Sequence, residues 1–240
     1  MSSSGIHILA TGTTRGIGAA IRADLQRRDA RVVGHGTRGD GPDQLAADLS
    51  QAGAAEVLWQ GALDRLDGHI DVLINNAGIY EPVSIGESAE VWRERWGRTL
   101  QVNLQAAADL CRLAVGHFRS RAGGGRIVNV ASRAAYRGDS PEHWHYAASK
   151  AGLIGVTKSI ARGYAAEGIL AFAATPGFTL TGMAEDYLSS RGGEKVLAEI
   201  PLGRVALPEE VANVVTYLAL DAPASMTGAI VDINGASYVR

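Results

Sequence analysis

Ile6-His7-Ile8-Leu9-Ala10, running into Thr11-Gly12-Thr13-Thr14-Arg15-Gly16-Ile17-Gly18, is the stretch that decides the fold of this chain. The first five residues form a short apolar run, which reads as a buried strand. The glycines that follow suit a tight turn. An amphipathic pattern then continues to about Arg28 and predicts a helix. A buried strand, a Gly-rich turn and a helix start together make a site for a dinucleotide. Glycine lets the backbone approach a pyrophosphate, and the helix start offers free N–H groups and a partial positive charge. Gly12, Thr14, Arg15, Gly16, Ile17 and Gly18 are the candidates for that contact.

Ala30 to His35 reads as the second strand. An acid just after such a strand accepts the ribose 2′-OH of NAD and repels the 2′-phosphate of NADP. Here the run is Gly34-His35-Gly36-Thr37-Arg38, with no acid before Asp40. Arg15, Thr37 and Arg38 suit a phosphate. NADP(H) is therefore favoured, with NAD(H) as the alternative. Gly39-Asp40-Gly41-Pro42-Asp43 is turn chemistry and leaves almost no room for a crossover helix. Gln44 to Asp48 then reads as the third strand, Ser50 as the cap of a helix to about Leu66, and Ile70 to Ile74 as the fourth strand. Arg126 to Ala131, Ile169 to Ala174 and Ala229 to Ile233 complete the set, with helices between them. Strands alternating with helices end to end predict a mainly parallel sheet. The fold class is α/β, a single-domain, Rossmann-type doubly wound sheet of about seven strands with helices on both faces. No linker composition interrupts residues 1–240, and residues from about 180 to 200 read as a substrate lid.

His145-Tyr146-Ala147-Ala148-Ser149-Lys150-Ala151-Gly152-Leu153 carries the chemistry. Residues four apart share one helix face, so the Tyr146 phenol and the Lys150 ammonium lie side by side. A neighbouring cation favours the phenolate and is expected to lower the tyrosine pKa towards a working range. Ser132, at the end of the fifth strand, falls where open α/β sheets bind ligands. His143 and His145 have no Asp, Cys or third His grouped with them, so no metal site is expected and they read as polar pocket or surface residues.

The chain has 240 residues and a net charge of −2, which shows no electrostatic footprint for nucleic acid. Its single cysteine excludes an internal disulfide framework. No apolar run approaches a membrane span and no leader pattern opens the chain, so the default expectation is a cytoplasmic protein.

The series T-G-x-x-x-G-x-G at Thr11–Gly18, N-N-A-G at Asn75–Gly78, Asn103, Ser132, Y-x-x-x-K at Tyr146–Lys150 and P-G at Pro176–Gly177 resembles the short-chain dehydrogenase/reductase family over nearly the whole chain. The tail is similar to that of 3-oxoacyl-carrier-protein reductases within it. The resemblance implies hydride transfer between a nicotinamide and a small ketone or secondary alcohol. Tyr146 would be the general acid/base, Ser132 would bind the substrate oxygen, Lys150 would bind the ribose and tune Tyr146, and Asn103 would hold a helix kink and support Lys150 through a water. It adds Asp48, Leu49, Asn75, Ala77, Gly78, Pro176, Gly177, Thr179 and Thr181 to the cofactor residues, and Tyr146 and Lys150 with them. Arg137, His143, Trp144 and Tyr187 join Ser132 as pocket candidates. A homotetramer is implied, with a homodimer as the alternative. A 3-oxoacyl-thioester reductase is the narrower alternative activity, and a dinucleotide sensor without turnover is the rival of a different class.

Overall fold

The computed structural model describes residues 5–39, 41–181 and 193–240. Seven strands form one sheet: β1 (His7–Ala10), β2 (Arg31–Gly36), β3 (Gln44–Ala46), β4 (Val72–Asn75), β5 (Gly125–Val130), β6 (Ile169–Pro176) and β7 (Ile230–Ile233). Their order is β3-β2-β1-β4-β5-β6-β7, and every pairing is parallel. The doubly wound sheet read from the sequence is thus observed, and each strand lies within about two residues of its expected place.

The helices are α1 (Gly16–Arg27), α2 (Ala54–Arg65), α3 (Ala89–Leu100), α4 (Ala106–Arg119), α5 (Ala134–Arg137), α6 (Trp144–Tyr164), α7 (Gly193–Ala198) and α8 (Pro208–Leu220). Side chains alternate across the sheet with period two. Ile8, Val72, Val128 and Phe172 meet Ile21 and Leu25 of α1 and Val211 and Val215 of α8 on one face. Leu9, Leu73, Ile127 and Ala171 meet Leu58 of α2, Leu110 of α4 and Ile160 of α6 on the other. Each fully buried Leu or Ile contributes about 1.5–3 kcal/mol, so the two layers hold the sheet from both sides.

Two local readings are corrected. β3 is only three residues long and pairs Gly34 with Gln44. A parallel connection usually needs a dozen residues or more. Here β3 starts level with the upper part of β2, so the loop has to drop only a short way. Ser50 does not cap α2, whose N-cap is Gly53; the Ser50 N–H instead donates to Asp48 Oδ1 at 3.0 Å. The helix kink expected at Asn103 is a π turn, Gln101–Gln105, wound more loosely than its flanks and joining α3 to α4 without a break. The expected lid falls partly outside the described residues, as does Tyr187. Among the described residues no helix is long and apolar enough to cross a membrane.

Candidate active site

The order of the strands reverses between β1 and β4, the place where such sheets open a crevice for ligands. The Gly-rich turn leaves β1 there, and Asn75-Asn76-Ala77-Gly78 leaves β4 beside it. The two are laced together. Thr11, 1 % exposed, accepts the N–H groups of Asn76 and Ala77 on its hydroxyl, both at 3.0 Å. Asn76 donates its amide to the carbonyls of Thr11 and Gly12, both at 3.0 Å. A Cβ on Gly18 would lie 1.9 Å from Gly12 O, so only glycine lets α1 start this close to the turn. A Cβ on Gly16 would touch Thr181 Cγ2 at 3.0 Å, which places Thr181 against the turn. Thr14, Arg15, Thr37 and Arg38 are exposed around this crevice, and Ile17 is half-buried. An exposed helix start, a glycine cradle and cations at its rim fit a dinucleotide phosphate chain.

The turn is also held from behind. His35, 2 % exposed, accepts the Gly12 N–H on Nδ1 at 3.2 Å and donates from Nε2 to Ala47 O at 2.9 Å. Accepting on Nδ1 requires the neutral ring, and burial lowers its pKa. Sequence reasoning missed His35, although its place at the end of β2 was the available signal.

Asn75 is a correction. Its side chain lies in the core, 3 % exposed, with its amide donating to Asn129 Oδ1 at 2.9 Å and to Ala107 O at 3.4 Å. It ties β4 to β5 and α4. Its side chain is engaged in the core rather than exposed at the crevice. Asp48 is exposed and Leu49 buried just beyond β3, and bonds from Ser50 hold the Asp48 carboxyl below its ordinary pKa. Thr179 is buried, with its hydroxyl donating to Gly177 O at 3.3 Å.

The four catalytic candidates converge at the top of β4 and β5. Asn103, in the π turn, accepts the Ile79 N–H at 2.8 Å, donates to Ile79 O at 2.9 Å and reaches Ser149 Oγ at 3.3 Å. Between it and Lys150 lies Gly78, where a Cβ would sit 3.3 Å from Asn103 Oδ1 and 3.5 Å from Lys150 Nζ. Lys150 is 4 % exposed, donates to Val130 O at 2.9 Å and has its ammonium 5.8 Å from the Tyr146 ring centre. Ser132 accepts the Ala134 N–H at 3.1 Å. Its hydroxyl also favours the Tyr146 phenolate, but burial dominates and pushes that phenol up to about 12. Burial pushes Lys150 down to about 8. Burial thus sets the direction of the Tyr146 shift, and the Ser132 hydroxyl opposes it.

The pocket candidates divide. His143 stacks beneath Tyr80 at 3.8 Å, and Tyr80 meets Tyr146 edge-on at 4.8 Å, so these three rings form one wall. His143 and His145 are buried, not surface residues, at 7 % and 0 % exposure. His145 packs on Trp96, and Trp144 turns outward against Trp92, away from the wall. Arg137 is exposed and pairs with Glu199 at 3.1 Å. Tyr80 escaped the sequence reading because nothing in its local pattern foretold the stack.

A family profile described as enoyl-(acyl carrier protein) reductase matches residues 12–236. The chain is 33 % identical to the 3-oxoacyl-(acyl-carrier-protein) reductases of Vibrio cholerae and Escherichia coli, over the full length of each partner. It is 34 % identical to D-threitol dehydrogenase of Mycolicibacterium smegmatis, over 97 % of this chain and 92 % of that one.

Proposed function

This chain belongs to the short-chain dehydrogenase/reductase family and is an NAD(P)-dependent oxidoreductase acting on a ketone or secondary alcohol; from that premise we propose how its residues divide the work. The observation that carries the reading is the convergence of Asn103, Lys150 and Gly78 beside Tyr146 and Ser132. Pro176, Gly177, Thr179 and Thr181 would hold a nicotinamide, which when bound would supply or take the hydride. Tyr146, kept protonated by burial, gives its proton to the carbonyl oxygen during reduction and takes it back during oxidation. Ser132 orients that oxygen. Lys150 compensates the phenolate left behind, and Asn103 fixes the wall against which Lys150 rests.

The cofactor we propose is NADP(H). Arg15, Thr37 and Arg38 surround the end of β2, which bears no acid at Gly34-His35-Gly36. Charge-assisted bonds to a 2′-phosphate are worth about 1.5–3 kcal/mol each, so NADPH should outperform NADH by about tenfold or more. The substrate is a small carbonyl compound or its alcohol. A 3-oxoacyl thioester and a polyol are the two chemistries that the relatives' names suggest, and both belong in the first panel. We also propose a homotetramer, with a homodimer as the alternative. The indoles of Trp92 and Trp144, 5.8 Å apart on the outer side of α3 and α6, support a face between copies. A monomer by light scattering would remove that proposal.

The deciding test is NADPH oxidation with the thioester and NADP+ reduction with the polyol, by the wild-type protein and Tyr146→Phe. Loss of at least about 100-fold in kcat, with NADPH binding intact by fluorescence, is expected of the missing acid. An undiminished rate in the variant would sink the assignment of Tyr146. Equal kcat/KM for NADH and NADPH would sink the cofactor preference.

A further inference from the structure

The residue that follows Ser132 is an arginine in surroundings arginine rarely tolerates. Arg133 is 7 % exposed. Its N–H donates to Pro176 O at 3.0 Å, which pins it between the end of β5 and the turn after β6. Its guanidinium carbon lies 4.9 Å from the centre of the Phe178 ring. Nη1 is buried and has no hydrogen-bond partner. Among the described residues no carboxylate pairs with it, because the nearby acids are engaged elsewhere. Glu199 holds Arg137 at 3.1 Å, and Asp139 accepts the Tyr80 hydroxyl at 3.1 Å.

A guanidinium keeps its proton, so this charge stays where it is. A buried charge is costly unless it is paired. One aromatic face offsets part of that cost and no more. The remainder is met if an anion arrives, and the dry surroundings make the attraction stronger than it would be in water. The location is the reacting end of the molecule. Consecutive Cα atoms are about 3.8 Å apart, so Arg133 begins beside Ser132. Tyr80, whose hydroxyl feels the Arg133 charge, packs edge-on to Tyr146 at 4.8 Å.

We propose that Arg133 anchors a carboxylate on the substrate, so that this site works on an oxo acid and its hydroxy acid. The carboxylate sits on the guanidinium while the carbonyl faces Tyr146 and Ser132. One unpaired cation suits one negative charge, and the guanidinium fork matches the two oxygens of a carboxylate. The chemistry is otherwise unchanged: hydride goes to the carbonyl carbon, the Tyr146 proton to its oxygen, and the carboxylate is a spectator. The proposal rests on the reading of Ser132, Tyr146 and Lys150 as the reacting centre.

The experiment measures kcat/KM with NADPH and with NADH for a panel of short 2-oxo and 3-oxo acids, each beside its methyl ester. Wild type, Arg133→Lys and Arg133→Met are compared, with melting curves to establish folding. Wild type is expected to favour its best acid over the matching ester by on the order of 100-fold, since a site built for a polar group rejects an analogue that leaves it unpaired. In Arg133→Met that ratio falls towards one, chiefly through KM for the acid, and Arg133→Lys retains part of it. If Arg133→Met does not fold, the wild-type ratio and its reduction in Arg133→Lys decide. Esters and simple ketones reduced as well as the acids, or variants that slow both alike, would overturn the proposal and leave Arg133 as a support for the Ser132 segment. No turnover of any carbonyl, charged or neutral, would instead overturn the reading of the reacting centre, and the proposal with it.

Discussion

At the scale of single residues, the proposed catalytic pair Tyr146 and Lys150 is expected to set the pH behaviour. Tyr146 stands near 12 and Lys150 near 8, both because burial disfavours their charged forms. The phenol therefore holds its proton throughout the neutral range, while the ammonium is lost as pH rises through about 8. Carbonyl reduction needs a phenol that can release its proton to an oxygen and a cation that steadies the phenolate. Its kcat/KM is expected to be level near neutrality and to fall as pH climbs past about 8. A profile from about pH 6 to 10 checks this, and a rate that keeps rising to the top of that range would contradict it. The positions of these residues were legible in the sequence because the chemistry needs a Tyr and a Lys on one helix face. Their charge states were not, since desolvation depends on what the rest of the chain lays over them. Arg133 was missed for the same reason: next to Ser132 it looks like an ordinary loop charge until its burial is known.

At the scale of elements, α8 has the clearest start signal and the simplest test. Pro208 opens it, and the Glu210 carboxylate accepts the Leu207 N–H at 2.7 Å while Arg204 grips it with both terminal nitrogens at 2.7 Å. These bonds lower the Glu210 pKa to about 2. Glu210→Gln keeps one acceptor but loses the charge, and being exposed to solvent it should cost only about 0.5–1 kcal/mol. Urea denaturation reads that directly, and a loss beyond about 2 kcal/mol would mean that Arg204 does more than steady a helix start. β1, β4 and β6 were nearly readable to the residue, because apolar runs between turn residues leave little choice. The π turn at Gln101–Gln105 left no such trace. Its cause is tertiary: Asn103 must face Ile79 and Ser149 while the helix on either side stays against the sheet. The short β3 was equally hidden, since a strand of three residues has too little pattern to mark its end.

At the scale of the whole molecule, burial of histidine predicts acid sensitivity. His35, His117, His143 and His145 all have pKa values lowered below the ordinary histidine value, with desolvation the leading cause in each. Between the native value and about 6.5, the unfolded chain takes up protons that the folded chain refuses. Stability is therefore complete above about pH 6.5 and declines as pH falls below it, each such group adding at most about 1.4 kcal/mol per pH unit. The melting temperature should drop between about pH 7.5 and 5.5, and His35→Gln should lessen the drop; a flat curve over that interval would refute the argument. One feature of this molecule works at the same scale. The rod from Ala89 to Arg119 seats Asn103 at the reacting end of the sheet, and near its other end His117 accepts the Ile70 N–H at 3.2 Å. It is a ruler laid along the sheet, and its π turn is one extra graduation. Deleting Leu104 would let ordinary α-helical spacing close across the turn, with both flanking halves keeping their seats, and would erase the bulge that aims Asn103 at Ile79 and Ser149. The flanks then stay on the sheet, and Asn103, in the middle of the rod, loses its place against Ile79. Along a lineage, a single codon thus separates a catalyst from a silent cousin with almost the same composition and the same sheet.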